Sequence, residues 1–325
     1  MLQLLRNVFK NDNCKRLCST ERTFEEIKIP VPWGHLAAKW WGPQNFRPIL
    51  AFHGWLDNSG TFDRLVPHLP ANIGILAVDY PGHGLSSHLP NGFVYHIIDA
   101  MFLFKRVIDY FKWEKVSFMA HSVGAMYSFT YTMFYPDKVD FLIFFDGLFY
   151  VFKQDTLAKK MSRTIDNFLR YDNLMTTKSL PPSYTYAELI ELQHTGSLKS
   201  IHADCAKYIL HRNIKSVDSK PGMYQFTRDL RLKVPTLMRW TEETIVESAK
   251  RVKCPLFFSL GKSSYLRKTG SFPVMQNVLN TIRQNNDHVH EYHLEGTHHL
   301  HLNTPEQLYP LVNEFLSKYY RDDNC

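Results

Sequence analysis

Short apolar runs alternate along the chain with longer amphipathic segments. The runs RPILAFHG, IGILAVDY, KVSFMAHS and DFLIFFDG have the length and β-prone composition of buried strands, and each ends in turn residues. NGFVYHIIDAMFLFKRVIDYFKW repeats its apolar residues at helical spacing, and a second helix is predicted from Val123 to Tyr135, where Pro136 ends it. Strands that alternate with helices are typical of a mostly parallel sheet with helices on both faces, an α/β fold.

The pattern also predicts where the domains begin and end. EEIKIPVP and HLAAKWWG predict a hairpin that enters the sheet, and PLFFSLG and VHEYHLEG predict its last strands. Between DFLIFFDG and PLFFSLG, about 100 residues interrupt the alternation, which is too long for an unstructured loop in a compact domain. We therefore predict a core over 23–147 and 254–322, a helical cap over 148–253 inserted after the sixth strand, and a basic, disorder-prone N-terminal segment over 1–22.

Composition limits the class of protein. The chain of 325 residues is 44% hydrophobic and 21% charged, as in globular proteins, and none of its apolar runs reaches the ~18 residues that span a bilayer. Its five cysteines fit neither a disulfide framework nor a zinc spacing, which favours a reducing, cytoplasmic location. Four Lys and Arg residues among the first 20 make a mitochondrial location the alternative.

The net charge of +7 is concentrated in one part of the chain. Residues 147–250 hold 16 Lys and Arg against 11 Asp and Glu. No dense basic run with interleaved aromatic residues is present, so we predict no nucleic-acid partner. The mildly basic surface favours a weak contact with anionic ligands or lipid headgroups. The sequence does not indicate an oligomeric state.

Four motifs occur in a fixed order: HGWLDNSGTF (53–62), DYPGHGLS (79–86), AHSVGA (120–125) and EGTHHLHLNTPE (295–306). They resemble the α/β-hydrolase superfamily, and with FTRDLRLK (226–233) the chain looks closest to the serine-hydrolase-like, or kraken-type, branch. The resemblance covers nearly all of the chain outside the cap. It implies the α/β-hydrolase fold and a serine hydrolase with a Ser–His–Asp triad, without a cofactor.

Ser122 is the predicted nucleophile. It follows an apolar strand and precedes a helix, so a tight turn would lift its hydroxyl into a cleft at the carboxyl ends of the strands. Residues beside it must be small, and Ala120 and Gly124 are, although the usual G-x-S-x-G pattern has glycine in place of Ala120. The alternative is a serine that only caps the following helix.

The remaining catalytic groups follow from the resemblance. The catalytic histidine usually lies seven residues before the proline of the next helix start, which selects His298 over His299 because that proline is Pro305. The backbone N–H groups of Trp55 and Val123 are implied to form the oxyanion hole. We predict no metal site, because the histidines of DHVHEYH alternate along a strand and lack a metal-binding pattern.

The acid of the triad departs from the pattern that many relatives share. Many relatives carry it as G-x-x-D after the strand that corresponds to PLFFSLG, but Ser264 stands at that position. Asp146 ends the preceding strand, 24 residues after Ser122, and keeps the order Ser…Asp…His. We predict Asp146 as the acid, and a helix-capping Asp146 is the alternative. Asp79 is expected to hold the backbone of its own loop.

Two motif features bear on the ligand. Arg228, Asp229 and Arg231 predict an ion pair that fastens the cap to the core, with a contact to a ligand anion as the alternative. The cap is also rich in aromatic residues, which either cover an apolar pocket or form the cap's own core. These residues are Phe149, Tyr150, Phe152, Tyr184 and Tyr186.

Two functional hypotheses remain. The first is a serine hydrolase that cleaves an apolar carboxylic ester, its small-molecule substrate, through an acyl-enzyme intermediate. The second is a non-catalytic binding protein with a degraded triad, which Ala120 and Ser264 favour. Haloalkane dehalogenases and epoxide hydrolases need an aspartate nucleophile, so Ser122 argues against both.

Overall fold

The computed structural model describes residues 22–149, 157–177, 181–234 and 240–321. The predicted N-terminal segment therefore lies outside the described residues except for Arg22, and so do Tyr150 and Phe152 of the cap.

The described chain contains eleven strands. Their bounds are β1 (Phe24–Val31), β2 (Gly34–Trp41), β3 (Ile49–Phe52), β4 (Ile75–Val78), β5 (Val116–His121), β6 (Val139–Phe145), β7 (Tyr184–Thr185), β8 (Ile214–Ser216), β9 (Met223–Phe226), β10 (Leu256–Gly261) and β11 (Val289–Leu294). Eight of them form the central sheet in the order β1-β2-β4-β3-β5-β6-β10-β11. Strand β2 is antiparallel both to β1 and to β4, whereas the other six strands of this sheet are parallel, in the order β4-β3-β5-β6-β10-β11.

Nine α-helices accompany the strands in the described residues. Their bounds are α1 (Ile97–Phe111), α2 (Val123–Phe134), α3 (Leu157–Thr176), α4 (Tyr186–Gly196), α5 (Ala206–Asn213), α6 (Glu242–Ala249), α7 (Ser271–Arg283), α8 (Leu300–Asn303) and α9 (Tyr309–Tyr319). None of these described helices has both the length and the apolarity needed to cross a membrane.

The central strands are buried on both faces. Every residue of β5 is buried, and its alternate side chains enter different cores: Phe118 packs with α1 and α2, whereas Met119 packs on the side of α9. Strands that are covered on both faces have continuous apolar sequences, which is why KVSFMAHS shows no polar alternation. The layered architecture places the carboxyl ends of β5, β6 and β10 side by side.

The segment between β6 and β10, which we call the cap, differs from the all-helical prediction. It also holds a small antiparallel sheet in the order β7-β9-β8. Strands of two to four residues are too short to show period-two alternation, so no periodic pattern predicts them. Tyr184 and Tyr186 pack against Phe226 and Tyr224 of this sheet. Tyr184 therefore belongs to the cap's own core, whereas Tyr186, which is 39% exposed, packs on its surface.

A buried ion pair joins the cap to the central sheet. Arg212 on α5 donates two hydrogen bonds to Asp79 Oδ2, at 3.1 and 2.7 Å, and another to Glu26 on β1. Asp79 also accepts the backbone N–H groups of Ser59 and Leu85, so it holds its loop and the cap at once. Both Arg212 and Asp79 are almost fully buried.

Candidate active site

Ser122 lies at the carboxyl end of β5, where the strand passes directly into α2. Its backbone has φ 53° and ψ −117°, a sparsely populated region that a non-glycine residue adopts only when its surroundings enforce it. The side chain makes no capping hydrogen bond to α2. Its Oγ lies 2.8 Å from His298 Nε2 instead, which is the geometry of a strained nucleophile elbow and not of a helix cap.

The turn around Ser122 requires small residues on both sides. A Cβ added at Gly124 would lie 2.4 Å from the carbonyl oxygen of Phe52, and one added at Gly147 would lie 2.5 Å from Ser122 Cα. Ala120 is fully buried in the apolar cluster beneath α2, so its methyl group is accommodated. Alanine in place of the first glycine therefore leaves the elbow intact.

Asp146 and His298 complete a hydrogen-bonded chain with Ser122. His298 Nδ1 lies 2.6 Å from Asp146 Oδ1, while its Nε2 faces Ser122. Asp146 follows β6 with a positive φ of 46°, which turns it toward the neighbouring strand end. Its Oδ2 accepts the backbone N–H of Gly261 at 2.6 Å. The structure thus brings together the three side chains that the sequence singled out.

Ser264 is a site residue whose role the sequence analysis missed. It stands where relatives carry the acid, and its Oγ donates to Asp146 Oδ1 at 2.6 Å. The end of β10 therefore supplies a hydrogen-bond donor to the carboxylate that β6 provides. Tyr265, the next residue, places its hydroxyl 3.3 Å from His298 Nε2. In the sequence, the only signal at this loop was the G-x-x-D pattern, and there Ser264 looked like the loss of the catalytic aspartate.

Burial sets the charge states of the Asp146 and His298 side chains. Desolvation, reinforced by the nearby His121, lowers the pKa of His298 well below its usual value, so the imidazole is neutral at pH 7. Burial raises the pKa of Asp146 to about 6, although the hydrogen bonds from Ser264 and Gly261 favour the carboxylate. At pH 7 an ionised Asp146 therefore faces a neutral His298. Because Asp146 faces Nδ1, the imidazole proton is assigned to Nδ1, and Nε2 is free to accept the proton of the Ser122 hydroxyl.

His299 points away from Ser122 into a buried cluster with Asp57 and His121. Asp57 Oδ2 lies 3.7 Å from His299 Nε2 and 3.7 Å from His121 Nδ1. Burial alone would raise the pKa of Asp57, but the contacts with His121 and His299 outweigh it and hold the pKa well below its usual range. His299 Nδ1 also lies 2.8 Å from Ser200 Oγ in the cap. His299 therefore contacts Asp57 and Ser200, whereas His298 contacts Ser122.

The same cluster is where the described residues could hold a cation. Asp57, His121 and His299 each offer one ligand atom, and these atoms lie within 4.8 Å of one another. The three residues come from segments far apart in the sequence, so no spacing pattern announces them. The prediction of no metal site rested on His288 and His290, which instead lie beside the Tyr319 hydroxyl.

The two residues implied to form the oxyanion hole lie near Ser122: Val123 follows it in the chain, and Trp55 lines the same cavity. Val123 is the first residue of α2, where an N–H group has no acceptor within the helix. Within the described part of the chain, the backbone N–H of Trp55 donates no hydrogen bond either. The indole of Trp55 donates to Leu232 O at 2.6 Å, which ties this turn to the cap.

Two cavities meet at Trp55. One contains Ser122 and His298 and is bounded by cap residues that include Leu192, Leu198 and Arg228. The other is mainly apolar and reaches the N-terminus of α2; its lining includes Trp33, Trp55, Tyr80, Leu103, Val123 and Tyr127. The aromatic residues of the apolar cavity come largely from the core. One of the two interpretations of the sequence had placed such residues in the cap.

Within the FTRDLRLK segment, Asp229 and Arg231 form an ion pair. Asp229 accepts hydrogen bonds from Arg231 and Tyr95, and Arg231 also donates to the core carbonyl groups of Leu89 and Pro90. This pair fastens the cap to the core, as one of the two interpretations predicts. Arg228 takes no part in it.

Comparison with known proteins places this geometry in context. The family described as alpha/beta hydrolase fold matches residues 47–245. A probable serine hydrolase from Drosophila melanogaster is 38% identical over 300 residues, covering 92% of this chain and 89% of its own length. A serine hydrolase-like protein from Danio rerio is 30% identical, with 91% and 89% covered.

Solved structures show the same fold. A hypothetical protein from Pseudomonas aeruginosa PAO1 superposes with a TM-score of 0.76 at 28% identity, covering 91% of this chain and 99% of the other. A thioesterase domain from the curacin biosynthetic pathway gives a TM-score of 0.71 at 19% identity, with 89% and 99% covered. The predicted fold and the predicted resemblance to serine-hydrolase-like proteins are confirmed.

Proposed function

Because the chain belongs to the α/β-hydrolase family and is a hydrolase of its serine-hydrolase-like branch, we propose that it cleaves carboxylic esters through an acyl-enzyme on Ser122. The observation that carries this proposal is the unbroken chain from Ser122 Oγ to His298, 2.8 Å, and from His298 to Asp146, 2.6 Å. Such a chain activates a hydroxyl that would otherwise be a weak nucleophile.

In the acylation half, Ser122 Oγ attacks the ester carbonyl carbon while its proton passes to His298 Nε2. Asp146 keeps the imidazole in the required tautomer and stabilises the imidazolium that forms. The N–H groups of Trp55 and Val123 donate to the developing oxyanion. When the tetrahedral intermediate collapses, the C–O bond breaks and the alcohol leaves with the proton from His298.

In the deacylation half, water attacks the acyl-enzyme carbonyl and gives one proton to His298. The second tetrahedral intermediate releases the carboxylic acid, and Ser122 recovers its proton. One ester and one water thus yield one acid and one alcohol. The apolar cavity beside Trp55, with Tyr80 and Tyr127 in its wall, favours an apolar group on one side of the scissile bond.

The pH profile is expected to show a loss of activity in acid. As the pH falls through about 6, Asp146 takes up a proton, and the orientation and stabilisation of His298 are lost. We expect kcat/KM on 4-nitrophenyl butyrate to rise with pH along a one-proton limb with an apparent pKa near 6 that belongs to the Asp146–His298 pair. Rates measured from pH 5 to 9, with the melting temperature at each pH as the control for unfolding, check this. A flat profile down to pH 5 would contradict it.

The experiment that tests the proposal is intact-mass labelling with a fluorophosphonate. We expect a single adduct on the native protein and none on Ser122→Ala, because only an activated serine displaces the fluoride. Circular dichroism of both proteins excludes unfolding as the reason for a missing adduct. A folded native protein that takes no adduct would reject the hydrolase mechanism and support the non-catalytic binding protein.

A further inference from the structure

We propose that Arg228 binds a carboxylate of the substrate, so that the hydrolase acts on esters with an anionic group on one side of the scissile bond and an apolar group on the other. This inference rests on the function proposed above. It adds the chemical class of the substrate, which neither the triad nor the fold specifies.

Arg228 has no anionic partner among the described residues. It lines the same cavity as Ser122 and His298, and its guanidinium carbon lies 4.2 Å from the ring centroid of Phe226. Among the described residues no carboxylate or carbonyl oxygen accepts a hydrogen bond from it. Burial lowers the pKa of its guanidinium to about 10, which reflects the cost of holding this charge away from water.

The two arginines that are almost fully buried among the described residues both have carboxylate partners. Arg212 pairs with Asp79 and Glu26, and Arg231 pairs with Asp229. Withdrawing a charge from water without an opposite charge is costly, and a ligand that supplies the opposite charge offsets this cost. Arg228 is half-buried and has no carboxylate partner among the described residues.

The backbone fixes where Arg228 can reach. On one side the Thr227 N–H donates to Asn213 O at 2.8 Å, and on the other the Asp229 N–H donates to Gly82 O at 2.9 Å. These bonds tie the residue to the cap helix α5 and to a core loop. The side chain is thus presented by a rigid segment, as a specific binding group requires.

The cavity holds one cation among its described lining residues. Asp57 and Arg228 are the only Asp, Glu, Lys or Arg in that lining. Asp57 Oδ2 faces His121 and His299, at 3.7 Å from each, and no ion pair joins Asp57 to Arg228 among the described residues. One free cation matches one negative charge, and the planar guanidinium fits a carboxylate in two-pronged geometry. A phosphate monoester, with a charge near −2, would need a second cation.

The first experiment compares two esters that share a leaving group. They are 4-nitrophenyl hemiglutarate, which carries a carboxylate on its acyl chain, and the neutral 4-nitrophenyl hexanoate. In Arg228→Gln we expect the ratio of their kcat/KM values to fall by about 10- to 100-fold against the native protein, the range for a lost hydrogen bond to a charged group. Arg228→Lys keeps the positive charge but not the planar guanidinium, so its ratio of kcat/KM values should lie between those of the native protein and of Arg228→Gln.

Arg251→Gln is the matched control, because Arg251 is exposed and lies outside both cavities. It removes the same charge from the protein and should leave the ratio unchanged. The inference fails if Arg228→Gln leaves the ratio within twofold of the native value, or if Arg251→Gln lowers it equally. The melting temperature of Arg228→Gln should change little, since among the described residues the substitution breaks no ion pair and removes only the contact with the Phe226 ring.

The second experiment separates this inference from the proposed function. Monomethyl glutarate should raise the melting temperature of the Ser122→Ala protein, and this shift should vanish in Ser122→Ala/Arg228→Gln. Because Ser122→Ala cannot form an acyl-enzyme, the result does not depend on hydrolysis. An Arg228-dependent shift in a protein that hydrolyses no ester would reject only the hydrolase. A shift with inorganic phosphate larger than that with monomethyl glutarate would overturn the assignment to carboxylates.

Discussion

Replacing His298 by alanine is expected to lower kcat on 4-nitrophenyl butyrate by about 10⁵- to 10⁶-fold. His298 Nε2 is the group that lies 2.8 Å from Ser122 Oγ, and without a base the hydroxyl stays protonated and weakly nucleophilic. Losses of this size follow removal of the histidine from comparable triads. Steady-state kinetics, with fluorophosphonate labelling as a second readout of serine activation, measure the effect.

His299→Ala is the matched control, because it removes a neighbouring buried imidazole that makes no described contact with Ser122. We expect kcat to fall by less than about tenfold. The free energy of unfolding in urea should fall instead, by about 1–3 kcal/mol, since Ser200 and Asp57 lose a buried polar partner. If the two variants lost activity equally, the assignment of His298 as the base would be wrong.

The second large effect is expected from Asp146→Asn, which should lower kcat by about 10⁴-fold and leave the fold intact. An amide nitrogen placed toward His298 Nδ1 would donate a hydrogen bond, so the imidazole would carry its proton on Nε2. That tautomer cannot accept the Ser122 proton. Kinetics on the same ester, with circular dichroism and the melting temperature alongside, test the expectation.

Ser264→Ala provides the comparison for the acid. It removes one of the hydrogen bonds that Asp146 receives but leaves the carboxylate in place, so we expect a loss of about tenfold or less. An Asp146→Asn variant within threefold of the native rate would remove Asp146 from the triad. Equal losses in Asp146→Asn and Ser264→Ala would show that the loop geometry matters more than the charge.

The sequence predicted the parts of the site that local chain geometry determines. Ser122 could be placed because an apolar strand, a small residue and a helix follow one another within a few positions, and the turn that joins them has one geometry. Asp146 could be placed because parallel strands end at the same edge of the sheet. Both inferences combine the residue at a strand end with the resemblance, which supplies the G-x-S-x-G pattern for Ser122 and the order Ser…Asp…His for Asp146.

Contacts between distant segments could not be predicted in this way. Ser264 looks like a lost acid until its hydroxyl is seen against Asp146, 118 residues earlier in the chain. Asp57, His121 and His299 form one cluster from three unrelated motifs. The cap sheet was missed for another reason, since strands this short carry no periodic signal. The sequence likewise could not show whether Arg228 or Arg231 would pair with a carboxylate, because this depends on the packing between cap and core.

The pairing of Arg212 with Asp79 limits how substrates enter. A cap that lifted away as a single body would have to expose both of these charges and also break the hydrogen bonds from Arg231 to the core carbonyl groups of Leu89 and Pro90. These contacts hold the base of the cap on the core. The structure therefore favours access to Ser122 through local movement near Leu198, an exposed cap residue that lines the cavity.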